Sequence, residues 1–193
     1  MHVMKMVRTL GLAIAIAMSA VLATQAIAQE GPPPSPGAKV SVTIGGDTEI
    51  SVSYSRPGVK DREIWGALVP YKQAWRAGAN NPTTFTFSSD VKLNGNSIEA
   101  GSYTLLITPT KDGAWTLHLQ AQGEGEGDDE DEGAEDEGAE DVVTLQVESA
   151  NAPEQEWLVY GFDHLEPGAG PTSAIASMHW AKKKVSFKIE LDD

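Results

Sequence analysis

Two tryptophans, a tyrosine, three arginines and two lysines are gathered between Arg56 and Pro82, a stretch without the strict alternation that marks the segments around it. A guanidinium offers several N–H donors to carboxylates, phosphates and sugar hydroxyls, and an indole face stacks on sugars or cations. Arg56, Lys60, Trp65, Tyr71, Trp75, Arg76 and Asn80 therefore form a candidate binding set for a small anionic ligand, a glycan or an envelope partner. The same residues admit a plainer reading. Trp65, Leu68 and Trp75 would plug one end of the fold, while Arg56 and Arg76 tie loop carbonyls and acids together. A loop this long without regular structure is usually functional or disordered, and its aromatic content argues against disorder.

Catalytic chemistry has less to build on. The chain carries no Gly-x-Ser-x-Gly elbow, no His-Glu-x-x-His and no phosphate-cradling Gly-x-x-x-x-Gly-Lys. His118, His164 and His179 fall in or beside separate predicted strands, and a metal or acid–base site would need them to converge with Asp163 or Glu166. His118 alternates with Trp115, Leu117 and Leu119, which turns it toward solvent. The carboxylate pairs Asp61 with Glu63 and Glu154 with Glu156 would serve glycoside hydrolysis only at a separation of roughly 5 to 9 Å. No catalytic residue is assigned. Non-catalytic binding through the Arg56–Asn80 loop is the leading expectation; a hydrolase with a carboxylate and histidine site and a structural envelope protein are the alternatives.

Charge is concentrated in one place. The net charge is −14, and between Glu124 and Asp141 stand twelve acidic residues with no Lys or Arg, interleaved with little but Gly and Ala. Such a tract repels itself and has nothing to bury, so residues 123–141 read as a disordered acidic insertion between two strands. Loop closure costs grow slowly with length, so the fold tolerates it. A calcium loop is a poor fit, because Ala139 stands where an EF-hand starting at Asp128 needs its bidentate Glu. Weak Ca2+ association at Asp128, Asp129 and Asp131 is the most that the pattern supports, and no other cofactor is implied. The acidic balance disfavours nucleic acid. With no cysteine in the chain, disulfides, thiolate chemistry and a lipid-modified N-terminal Cys are excluded.

The N-terminus carries Lys5 and Arg8, an apolar run from Leu10 to Ala23, and the small-residue pattern Ala26-Ile27-Ala28. That order is a signal peptide over residues 1–28, cleaved near Ala28, and it predicts a periplasmic or extracellular protein. The apolar run is shorter than the ~18–20 residues of a spanning helix, and no later segment of the mature chain could cross a bilayer. Residues 29–38 read as a Pro/Gly-rich linker and residues 39–192 as one domain.

Positioning of the candidate site falls to strands. Val40, Val42 and Ile44 alternate with polar residues, Gly45-Gly46-Asp47 turns the chain, and Ile50, Val52 and Tyr54 answer as the second arm of a hairpin. The pattern recurs at Phe85 and Phe87, at Val91 and Leu93 before Asn94-Gly95, at Tyr103 to Ile107, and at Trp115 to Leu119. It returns at Val143 to Val147, Trp157 to Phe162, Ala174 to Trp180 and Val185 to Leu191. Roughly ten short strands, each with one apolar face, predict an all-β antiparallel sandwich with one long ordered loop and one disordered acidic loop. A closed barrel satisfies the same alternation. Lys182-Lys183-Lys184 is read as a polar hairpin or a protected edge.

Tyr54-Ser55-Arg56-Pro57-Gly58-Val59-Lys60, followed by Trp75-Arg76-Ala77-Gly78-Ala79-Asn80, resembles the bacterial family of domain of unknown function 2911. Leu68-Val69-Pro70-Tyr71, Ala100-Gly101-Ser102-Tyr103, Glu156-Trp157 and the closing Trp180 to Glu190 segment agree with it, so the resemblance runs from about Lys39 to Leu191. It implies an exported β-domain and no known activity. The acidic tract departs from the short aromatic-rich connection that the family tends to carry after the Trp115 to Gln120 strand.

Overall fold

The computed structural model describes residues 35–122, 140–164 and 170–192, with His164 by its backbone alone. The expected signal peptide, most of the linker, and the acidic insertion up to residue 139, with Asp128, Asp129 and Asp131, lie outside the described residues.

Ten strands form in chain order: β1 (Gly37–Ile44), β2 (Thr48–Ser55), β3 (Thr84–Phe87), β4 (Val91–Leu93), β5 (Asn96–Ile98), β6 (Gly101–Thr108), β7 (Trp115–Ala121), β8 (Asp141–Val147), β9 (Ser149–His164) and β10 (Ser173–Leu191). They make two sheets, one ordered β1-β2-β3-β6-β7-β8 and the other β5-β4-β10-β9. Every pairing between strands is antiparallel. The architecture is a sandwich rather than a closed barrel.

Alternation decides which face goes inside. Ile50, Val52, Phe85, Phe87, Leu105, Ile107, Leu117 and Leu119 point from the six-stranded sheet into the core, where Leu93, Leu158, Met178, Val185 and Ile189 meet them from the other sheet. The outer face of the large sheet is polar, and its side chains bond across strands, as Gln122 does to Thr84 and Thr104 and Gln146 does to Thr116. The predicted first hairpin pairs Val40 with Val52 and Val42 with Ile50. Asn94 and Gly95, with φ of 46° and 85°, close the short β4–β5 hairpin as the Asn-Gly signal requires.

Two strands are long rather than short. β9 and β10 pair from Ala174↔His164 to Val185↔Ser149, with register shifts on both sides of Ala181, whose φ is 49°. Lys182-Lys183-Lys184 therefore sits inside β10 just past this bulge and forms no hairpin. The extra residues carried by β9 at the bulge bend the pair, and β10 curls far enough for the Leu191 amide to donate to the Thr172 carbonyl at 3.2 Å. Past Val185, its last pair with β9, β10 pairs with β4 at Ile189–Leu191.

Candidate functional site

The segment between β2 and β3 is fastened to the sandwich along both of its arms. On the way out, the Val59 amide donates to the Glu156 carbonyl at 2.8 Å and the Leu158 amide donates to Pro57 at 3.0 Å, so the loop adds a short rung to the free side of β9. On the way back, Trp75 and Ile107 exchange both backbone hydrogen bonds, at 2.9 and 2.8 Å, which places the return arm along β6. The two ends then meet, the Ala79 amide donating to the Ser55 carbonyl at 3.3 Å. Arg56 N–H donates to Pro36 and Asn80 Nδ2 to Ser35, both on the segment leading into β1.

Between these arms the rings pack inward. Trp65 lies against Trp75, Trp115 and Trp180 at centroid distances of 5.7, 4.6 and 5.7 Å, and Trp75 stacks on Trp180 at 5.6 Å. Trp115 and Trp180 are fully buried. The indole N–H groups of Trp65 and Trp180 have no hydrogen-bond partner. Leu68, expected in the plug, is instead 46% exposed.

A buried carbonyl holds the return arm as well. Ala77 is fully buried with φ of 55°, and its oxygen accepts the Tyr160 hydroxyl at 2.8 Å and the Thr83 hydroxyl at 3.2 Å. Burial pushes the Tyr160 phenol well above its usual range, with Tyr54 adding to the effect, so it stays a donor. Gly78 follows because a Cβ there would come within 2.5 Å of Thr83 Oγ1 and 3.3 Å of the Ser55 carbonyl. Of the seven non-glycine residues at positive φ among the described residues, five lie in this segment: Lys60, Asp61, Lys72, Ala77 and Asn80. Such backbone persists only where the surroundings over-determine it.

The structure splits the sequence-predicted set into three pairs and leaves Tyr71 apart from them. Trp65 and Trp75 belong to the indole cluster. Arg56 and Lys60 lie along β9, where Arg56 Nε–H donates to the Leu158 carbonyl at 2.9 Å and the Lys60 ammonium stands 6.0 Å from the centre of the half-buried Trp157 ring. Arg62 is turned onto the Gly58 and Val59 carbonyls nearby, and Glu156 accepts the Lys60 amide. Arg76 and Asn80 stand at the loop exit, Arg76 Nη1 donating to the Asn80 carbonyl at 2.7 Å. Tyr71 packs its ring against Gly66, where a Cβ would approach to 2.5 Å. The ion pairs of the described residues fall outside the segment, so none of its five cations is matched to a described carboxylate.

Where the loop ends meet β1, an open groove of about 310 Å³ is lined by Gly37, Ala38, Ser53, Tyr54, Ser55, Asn81, Pro82 and Thr84. Its hydroxyls and amide are neutral, and Arg56 and Asn80 are the chain neighbours of Ser55 and Asn81. Ser53, Ser55, Asn81 and Thr84 carried no sequence signal, because isolated polar residues at strand ends look like any solvated face. Trp115 and Trp180 were read as strand residues, and only the fold shows them under the loop.

Of the described histidine side chains, His118 and His179 are turned to separate partners. His118 Nδ1 lies 2.6 Å from Asp141 Oδ2 and its Nε2 lies 3.1 Å from the Thr108 hydroxyl, across β6, β7 and β8. Partial burial pushes the Asp141 carboxyl up, but hydrogen bonds from His118, Thr144 and Gln120 outweigh it and hold the group below the usual carboxylate range. His179 Nε2–H donates to the Pro153 carbonyl. Glu154 faces Lys182 at 3.8 Å while Glu156 receives the Lys60 amide, so the two carboxylates are turned to separate partners. Among the described residues no group of three or more His, Asp or Glu is placed to hold a metal ion.

Residues 35–189 match the family described as Protein of unknown function (DUF2911), and the chain belongs to it. No curated protein and no solved structure matches the chain.

Proposed function

We propose that the mature chain, exported after cleavage near Ala28, is a non-catalytic binding protein that holds an anionic, carbohydrate-like ligand at the base of the Arg56–Asn80 loop. The observation that carries this reading is the condition of Arg56 and Arg76. Each is half-buried and fixed by one N–H on a backbone carbonyl, and neither has a described carboxylate as counter-ion. A guanidinium held in this way keeps its other donors oriented for a carboxylate or phosphate, with little entropy left to lose. Beside the loop ends, the hydroxyls of Ser53, Ser55 and Thr84 and the amide of Asn81 line an open groove, a neutral surface suited to sugar hydroxyls. The buried indoles and the left-handed backbone support the reading by making the loop a rigid mount rather than a flap.

The test is thermal melting of the mature protein with uronic-acid oligosaccharides, sugar phosphates, organic acids and neutral sugars. A ligand at ten times its Kd stabilises the native state by about 1.4 kcal/mol, or ~3–6 °C for a domain of this size. The expected result is a shift with acidic saccharides that disappears in Arg76→Ala while Lys111→Ala, on the β6–β7 connection, retains it. An equal shift in Arg76→Ala, or none with any acidic saccharide, overturns the proposal.

A further inference from the structure

The coiling of β9 and β10 leaves a second concavity, of about 230 Å³, that shares no lining residue with the groove at the loop base. The β9 run from Val159 through Tyr160, Gly161 and Phe162 to Asp163 lines it, with Ser177, His179 and Lys184 of β10. Val159, Gly161 and Asp163, and Ser177 and His179, alternate along their strands with the buried side chains of Leu158, Tyr160, Ala176, Met178 and Trp180, so the concavity opens on the outer face. Its floor is the Gly161–Ser177 pair, directly opposed across the ladder. A Cβ on Gly161 would meet only the Ser177 hydroxyl, at 3.8 Å. Glycine at 161 is thus not demanded by packing; what it provides is depth.

Complementary chemistry surrounds this floor. Ser177 is 7% exposed and carries a hydroxyl. His179 gives its Nε2–H to the Pro153 carbonyl at 2.9 Å, which fixes the protonated nitrogen and leaves Nδ1 as the other ring nitrogen. The Lys184 ammonium and the Asp163 carboxylate face each other at 3.9 Å, too far for a charge-assisted hydrogen bond. Opposite charges set side by side without closing on each other suit a ligand that is itself dipolar.

We propose that this concavity binds a small carboxylic acid with a hydrogen-bond donor beside its carboxylate, the chemistry shared by α-amino and α-hydroxy acids. The carboxylate would lie against Lys184 and Ser177, and the vicinal donor against Asp163 or His179 Nδ1. The concavity is small, which suits a ligand of a few non-hydrogen atoms.

Amide NMR of the mature protein, titrated separately with glycine, glycolate and acetate, tests the site. Saturable shifts at Gly161, Ser177 and His179 are expected with glycine or glycolate, the tighter of the two identifying the source, and not with acetate. Gly161→Ala fills the floor without a clash and should weaken binding at least about tenfold, as should Lys184→Met. Absence of saturation with both ligands up to roughly 50 mM, equal saturation by acetate, or undiminished binding in a folded Gly161→Ala variant overturns the proposal.

Discussion

The Ala77 carbonyl is where the loop's geometry is most open to a quantitative test. Two buried hydroxyls, those of Tyr160 and Thr83, donate to this one oxygen, and Ala77 and Thr83 are fully buried. Tyr160→Phe and Thr83→Val each remove one donor with almost no change in shape, and each leaves the carbonyl with the other. Each single variant should therefore lose about 1 kcal/mol, the net worth of an ordinary hydrogen bond. The double variant strips the carbonyl of both side-chain donors and incurs a desolvation penalty of about 1–3 kcal/mol besides. Its total loss should be about 3–5 kcal/mol, more than the sum of the singles by at least about 1 kcal/mol. Urea unfolding, with midpoint and slope compared across the four proteins, measures this directly. If the double variant lost no more than the sum of the singles, the carbonyl would not be the shared anchor of the return arm.

Gly66 has φ of 91° and a Cβ there would come within 2.5 Å of the Tyr71 ring. Gly66→Ala should cost about 2–3 kcal/mol, from left-handed strain and displacement of the ring; a loss below about 0.5 kcal/mol by urea unfolding would show the turn to be unconstrained. Asp141 has its folded-state pKa held below the usual carboxylate value, desolvation being outweighed by hydrogen bonds from His118, Thr144 and Gln120. A depressed acid stabilises the fold above its unfolded pKa and loses that contribution as pH falls through the folded value, below about pH 4. Asp141→Asn should thus be less stable than the parent by a few tenths to about 1 kcal/mol at pH 7, given the exposure of the pair. The gap should close as pH falls below about 4, and a gap constant with pH would contradict the assignment.

The sandwich was readable wherever one face of a strand is buried and the other wet. The first two alternating segments paired as a hairpin, with Val40 opposite Val52 and Val42 opposite Ile50, and the Asn94-Gly95 turn closed its own. β9 was legible only from Trp157 onward, because Ser149–Gln155 is polar and contains Pro153; its pairing is supplied by β10, not by its own pattern. The three lysines suggested a polar hairpin or a protected edge rather than a bulge, because a left-handed residue inside a strand, here Ala181, has no signature in the sequence.

At the candidate site, residue type was informative and direction was not. Arg, Trp and Asn at 56, 65, 75, 76 and 80 marked a special segment, yet the same composition serves a plug and a binding surface. Their division into inward indoles, β9-side cations and a polar exit depends on backbone hydrogen bonds to Glu156, Leu158 and Ile107, which lie far along the chain. The Ala77 anchor was hidden for the same reason: alanine has no side-chain signal, and its partner Tyr160 is 83 residues away.

The most direct test of the loop's role is amide NMR mapping of an acidic oligosaccharide onto the mature protein. A concentration series of the best ligand from the melting screen would be followed at every assigned amide. Saturable shifts confined to Ser53–Arg56 and Arg76–Thr84, abolished together in Arg76→Ala, are the predicted result. Saturable shifts elsewhere, with those two segments unmoved, would contradict a binding site at the base of the loop.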